Sequence, residues 1–122
     1  MSLKTISECQ LFLQVASKFS EGETKLSYAI KKVSKSIEKG FKKYNDTLED
    51  ARIDFCSTDE KGNVLKDDKG GYVFSKENLK LLTQKNRELI ETPFEVESYI
   101  ATDLTGIELT EGEKELLTDF VI

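Results

Sequence analysis

The chain contains no histidine. That removes the commonest general base and the commonest neutral metal ligand. A Ser-His-Asp or Cys-His nucleophilic arrangement is impossible on the same ground. The two cysteines, Cys9 and Cys56, are far apart and form no CxxC pair, so an all-cysteine zinc site has too few ligands. No P-loop is present, and no GxGxxG segment follows a strand. Carboxylates are plentiful, and Glu95, Glu97, Glu108, Glu111 and Glu113 lie near one another in sequence. Paired-carboxylate catalysis needs two of them converging across a pocket, which the spacing does not indicate; solvated carboxylates are the simpler expectation. Asp59-Glu60-Lys61-Gly62-Asn63 carries a lysine where an EF-hand loop needs a ligand, and Asp67-Asp68-Lys69-Gly70-Gly71 lacks the later bidentate glutamate. Both read as turns. The residues thus point away from catalysis, and neither a cofactor nor a metal is expected.

What remains is charge. From Lys25 to Lys43 there are seven lysines and a single acid, Glu38; from Glu88 to the end there are ten acids and one base, Lys114. Lys31, Lys32, Lys35, Lys39, Lys42 and Lys43 would form a possible interaction face, and Glu95, Glu97, Glu108, Glu111 and Glu113 a possible acidic face. Such asymmetry can guide self-association or recognition of a charged partner. A lysine face can also follow a phosphate backbone. Against that stand the overall charge of -5, the absence of arginine from the stretch, and the lack of an aromatic ladder for stacking.

The element that would position these lysines is the strongest signal in the chain. Ile30, Ile37, Tyr44 and Ala51 recur every seven residues, with Phe41, Leu48 and Phe55 in a second row and Leu26 and Val33 extending the stripe. One apolar face sustained over residues 25–56 predicts a long amphipathic helix. At 1.5 Å per residue it would span roughly 50 Å, more than the roughly 35 Å diameter of a compact domain of this size. Protrusion, pairing with another chain, or a bend is expected, with Gly40 as the weak point at about 1 kcal/mol relative to Ala.

Shorter elements flank it. A helix is predicted over residues 7–19, capped by Ser7, with Leu11, Phe12, Val15, Ala16 and Phe19 at helical spacing. A β-hairpin is predicted over residues 63–74, a helix over 75–91 capped by Ser75 and stopped by Pro93, and a strand over 94–100. A last helix over 111–121 begins at a Thr110–Glu113 capping box. No internal repeat is evident. The expected fold is mainly α (α+β): one domain over residues 1–122, the long helix packed with two or three shorter helices, plus a small hairpin and a short C-terminal strand. Hydrophobic residues at 38% and charged residues at 34% suit such a folded domain. No apolar stretch approaches the ~20 residues of a membrane span, and the N-terminus does not lead into a signal sequence. Two unpaired cysteines fit a reducing compartment, so a cytoplasmic location in the cell that makes the protein is expected.

Four stretches carry a resemblance: Glu8-Cys9-Gln10-Leu11-Phe12-Leu13; Lys25-Leu26-Ser27-Tyr28-Ala29-Ile30-Lys31-Lys32; Asp59-Glu60-Lys61-Gly62-Asn63; and Phe94-Glu95-Val96-Glu97 with Leu104-Thr105-Gly106-Ile107-Glu108-Leu109-Thr110 and residues 116–122. In order and spacing the chain resembles a family of short proteins encoded by phages and prophages, mainly of Gram-positive bacteria. The resemblance implies a phage or prophage origin and action in the bacterial host; it brings no catalytic residue. The leading expectation is a non-enzymatic interaction or assembly accessory protein, acting by self-association into a homo-oligomer or by binding a protein partner. The alternatives are an anti-defence or host-takeover protein that inhibits a host enzyme or sequesters a signalling nucleotide, and a nucleic-acid-binding accessory protein using the lysine face.

Overall fold

The computed structural model describes residues 2–122. It is mainly helical: four helices, one of 31 residues, with a two-stranded antiparallel sheet. The order is β1 (Ser2–Lys4), α1 (Ile6–Ala16), α2 (Lys25–Phe55), α3 (Lys76–Glu91), β2 (Phe94–Val96) and α4 (Glu111–Leu117). The contacts fall into two compact units. One comprises the chain up to Phe41 together with Glu91–Ile122, and the other comprises Lys42–Ile90. Residues 25–41 of α2 belong to the first and residues 42–55 to the second.

The first unit holds the main core. On α2, Leu26, Ala29, Ile30, Val33 and Ile37 are fully buried, which is the face the heptad spacing marks. α1 contributes Ile6, Cys9, Phe12 and Ala16, β2 contributes Val96, and the C-terminal segment adds Leu117, Phe120 and Val121. The Phe12 and Phe120 rings stack at 4.3 Å between centroids. Lys4 is itself buried, its Nζ lying 4.6 Å over the Phe120 ring and 4.0 Å from a Glu8 oxygen; the cation is held by a π-face and a carboxylate together.

Helix starts follow side-chain chemistry. α1 is capped by Thr5, not Ser7: Thr5 Oγ1 accepts from Glu8 N at 3.2 Å and Glu8 Oε1 accepts from Thr5 N at 3.4 Å, closing a capping box. Ser7 is left inside the helix, where its hydroxyl donates to Glu91 Oε1 at 3.2 Å. The buried face carries Ile6, Cys9, Phe12 and Ala16, and Leu11 is exposed. α1 also ends at Ala16, three residues short of the predicted 19, in a turn over residues 17–19. Thr24 Oγ1 accepts from Ser27 N at 3.0 Å at the start of α2. Ser75 Oγ accepts from Asn78 N at 3.1 Å, capping α3. The Thr110–Glu113 capping box forms at α4, with bonds of 3.1 and 3.0 Å.

α2 is continuous through Gly40. The glycine serves close packing: a Cβ there would overlap the ring of Phe94 on β2. β2 pairs with β1 in the register Ser2↔Val96, Leu3↔Glu95, Lys4↔Phe94. The strand expected over 94–100 stops at Val96 because its partner is only three residues long. Beyond it, Glu97 N donates to Ser36 Oγ at 2.9 Å, and Tyr99 N and Ala101 N donate to the carbonyls of Phe120 and Val121. The alternation expected of a strand stops at Val96: residues 97–100 are all exposed, and the backbone changes partners. α4 ends at Leu117, short of 121. Asp119 takes a positive φ of 69°, and Phe120 and Val121 are buried from a turn whose amides bond back to Leu117 O.

The second unit is built differently. The hairpin expected over 63–74 resolves into two isolated antiparallel bridges, Thr58↔Val64 and Lys66↔Tyr72. Each closes a tight turn of its own, which leaves no length for a ladder. The two turns are copies: Asp59 Oδ1 accepts from Lys61 N and Asn63 N, and Asp67 Oδ1 accepts from Lys69 N and Gly71 N, all at 2.9 Å. A local repeat, Asp-acid-Lys-Gly, therefore exists where none was expected. Gly62 and Gly70 hold the matching positive φ of 83° and 81°, a conformation that favours glycine. The turns are stitched together by Ser57 N to Val73 O, Leu65 N to Ser57 O and Val73 N to Leu65 O. The Tyr72 hydroxyl donates to Glu49 Oε1 on α2 at 2.6 Å. α3 runs antiparallel to the second half of α2: Asn78 Nδ2 donates to Phe55 O at 3.0 Å, and the Tyr44 hydroxyl donates to Asn86 Oδ1.

Candidate functional site

The six lysines of the predicted interaction face are all exposed. Lys31, Lys32, Lys35 and Lys39 belong to the first unit; Lys42 and Lys43 belong to the second. Two of them are oriented by neighbouring rings. Lys31 Nζ lies 5.2 Å over Tyr28 and 3.4 Å from Gly22 O. Lys32 Nζ lies 4.5 Å over Tyr99. Around them is an open cleft of about 350 Å³ lined by Lys25, Tyr28 and Lys32 from α2 and by Tyr99, Ile100, Ala101 and Thr102. Helical spacing explains one wall, since positions 25, 28 and 32 fall on one side of a helix. The other wall is the segment held by the Tyr99 and Ala101 amide bonds to the carbonyls of Phe120 and Val121.

The acidic residues do not act as a set. Glu95 on β2, Glu97 just after it, Glu108 and Glu111 are exposed. Glu113 is part of the architecture: it caps α4 and pairs with Lys18 at 3.2 Å. Its carboxyl is held below the usual range, first by the Thr110 amide and then by Lys18. Asp103 is likewise held low, by the hydroxyl and amide of Thr105 with a contribution from Lys25. Among the described residues, no group of three or more Cys, Asp and Glu side chains could hold a metal ion. Burial pushes the Cys9 thiol up to about 11, which makes it a poor nucleophile at neutral pH.

The second unit has an unusual deficit. Among its described residues the buried hydrophobics are Leu48, Ala51 and Cys56, each retaining 6–7% exposure. No residue of α3 is buried. Leu79 and Leu81 are 50% and 49% exposed, and Ile53, Val64, Leu65 and Val73 are also exposed. By spacing, Leu79, Leu82, Leu89 and Ile90 form the apolar face of α3, yet Leu79 is exposed and the other three are only half-buried. Sequence reasoning found the pattern of α3 but not that its partner surface is incomplete. The cleft was also missed, because Tyr99 meets α2 only through the fold.

Among the described residues no helix is long and apolar enough to cross a membrane. Comparison with protein-family models, curated proteins and solved structures gives no match.

Proposed function

We infer that this protein is a non-enzymatic interaction or assembly accessory protein of phage or prophage origin that works by self-association through its second unit, in the host cytoplasm. The observation that carries the reading is the absence of any buried residue on α3, a 16-residue helix. A helical hairpin of this size needs a packed face, since helix stability comes mainly from tertiary burial. Here Ile53, Val64, Leu65, Val73, Leu79 and Leu81 keep 37–50% of their surface exposed. Leu79 and Leu81 lie two residues apart on α3 and so face different sides of it, and each leaves apolar surface that a partner can cover.

Charge favours a second copy as the occupant. Residues 42–90 contain ten basic and ten acidic side chains, so this unit is neutral; the whole net charge of -5 lies in the other unit. A neutral apolar surface meets itself without like-charge repulsion. Burying a half-exposed Leu or Ile releases about 1 kcal/mol. The apolar side chains that one face buries on two copies must together exceed an association cost of at least about 4 kcal/mol.

Light scattering across a concentration series tests this. The weight-average mass should rise from that of one chain, 13.8 kDa, toward twice that value. Leu79→Lys with Leu81→Lys should hold the protein at one chain while leaving its helical circular dichroism unchanged. A wild-type protein that stays at one chain throughout would refute the reading.

A further inference from the structure

A second feature, independent of self-association, is the cleft on the first unit. It combines three things that ordinary surface does not bring together. The first is a concave volume of about 350 Å³, at the small end of the roughly 300–1,000 Å³ typical of small-molecule sites. The second is a pair of tyrosines, Tyr28 and Tyr99, 51% and 46% exposed, on opposite walls. The third is the pair of lysines, Lys25 and Lys32, that line the same cleft, with Lys31 beside Tyr28.

Each component selects a chemistry. One face of each tyrosine ring carries a lysine ammonium, Lys31 on Tyr28 and Lys32 on Tyr99, so a planar ring would stack on the opposite face or on the ring edge. Lysine ammoniums are point-charge binders of phosphate. Lys25 is also the first residue of α2, where the positive end of the helix adds to its charge. Asp103 accepts from the Thr105 amide at 2.9 Å and from its hydroxyl, which hold it ionised, so its negative charge offsets part of the Lys25 charge. Lys32 is oriented by the Tyr99 ring rather than by a carboxylate, and so keeps its charge available to a ligand. Ile100 and Ala101 supply an apolar floor on which a ring or sugar can rest.

We propose that the Lys25–Tyr28–Lys32–Tyr99 cleft binds a small anionic ligand carrying an aromatic ring, of the nucleoside monophosphate class, with the ring against the tyrosines and the phosphate on Lys25 and Lys32. The volume suits one nucleotide rather than a polymer. No bond is made or broken; the site would hold the ligand or sense it.

Isothermal titration and NMR shift mapping with AMP, GMP, CMP and UMP test the proposal on the full chain. Adenosine, ribose 5-phosphate, inorganic phosphate and a single-stranded oligothymidylate serve as comparisons. At least one monophosphate should bind saturably, with shifts confined to residues 25–32 and 99–103. Adenosine and inorganic phosphate should each bind at least about ten-fold more weakly, because each lacks one half of the recognition. Lys32→Ala and Tyr99→Ala should each weaken the monophosphate about ten-fold. Both side chains are exposed, so unchanged circular dichroism would show that the fold persists. No saturable binding by any monophosphate at millimolar concentration overturns the proposal. So does binding that survives both substitutions, or binding by the oligonucleotide alone.

Discussion

Gly40→Ala separates two opposed effects at one position. In the middle of an exposed helix, replacing glycine by alanine stabilises by about 1 kcal/mol. Gly40 is not in that situation, because a Cβ there would overlap the Phe94 ring. The ring is rigid, and its backbone is tied into β2 opposite Lys4 of β1. Relief requires the strand or the helix to move, an overpacking cost of about 1–3 kcal/mol. The substitution should therefore destabilise by up to about 2 kcal/mol in spite of better helix propensity. In a Phe94→Ala background the obstacle is gone, and the same change should stabilise by up to about 1 kcal/mol. The double-mutant cycle should close with a coupling of roughly 1–3 kcal/mol. Urea unfolding followed by far-ultraviolet circular dichroism measures all four proteins, with the midpoint read at constant m-value. If Gly40→Ala raises the midpoint in the wild-type background, or if the cycle shows no coupling, the packing role assigned to Gly40 is wrong.

Three further outcomes follow from the same structure. Thr5→Ala and Thr110→Ala each remove the side chain of a capping box and should each cost about 1 kcal/mol in urea unfolding, whereas Ser7→Ala, inside α1, should cost less. Glu49, Asp59, Asp103 and Glu113 all have carboxyls held below their ordinary range, Glu49 by the Tyr72 hydroxyl, Asp59 by the Asn63 amide, Asp103 by the Thr105 hydroxyl and Glu113 by the Thr110 amide. Their contribution to stability is full above the unfolded-state values of about 4 and is lost as pH falls through the lower folded-state values; the thermal midpoint should be flat near neutrality and drop in acid, with a smaller acid drop in Glu113→Gln. Cys9, fully buried and with its thiol pushed up to about 11, should resist iodoacetamide at pH 8 in the native protein and react on unfolding, as peptide mapping would show.

Much of the first unit is legible in the sequence because its signals are local and periodic. Leu26, Ile30, Val33 and Ile37 spell out a helical face that the core then uses. Thr110 and Glu113 announce their cap by type and spacing. Other features depend on partners far along the chain. β1 is three residues with no period, and only its pairing with Phe94–Val96 defines it as a strand. Gly40 looks like a flaw until Phe94 is placed against it. Ser7 and Thr5 are both good caps by type, and what decides is the position of Glu8 three residues after Thr5. The Asp59 and Asp67 turns were readable as turns; their mutual stitching through Ser57, Leu65 and Val73 was not, since backbone hydrogen bonds leave little trace in residue type. The tyrosine–lysine cleft needs Tyr99 beside Lys32, which periodicity cannot supply. The predicted lysine and acidic faces were composition patterns. The structure leaves the lysines in solvent and gives one of the acids, Glu113, to a helix cap and an ion pair.

The central claim is that the second unit lacks a partner for its apolar surface and finds it in another copy of the chain. Sedimentation velocity of the wild-type protein and of Leu79→Lys with Leu81→Lys, from low-micromolar to millimolar concentration, tests it most directly. The account predicts a concentration-dependent shift from one chain of 13.8 kDa to a dimer for the wild type, abolished in the doubly substituted protein. A wild-type chain that sediments as a monomer at every concentration, or a dimer that persists unchanged with both lysines in place, would contradict it.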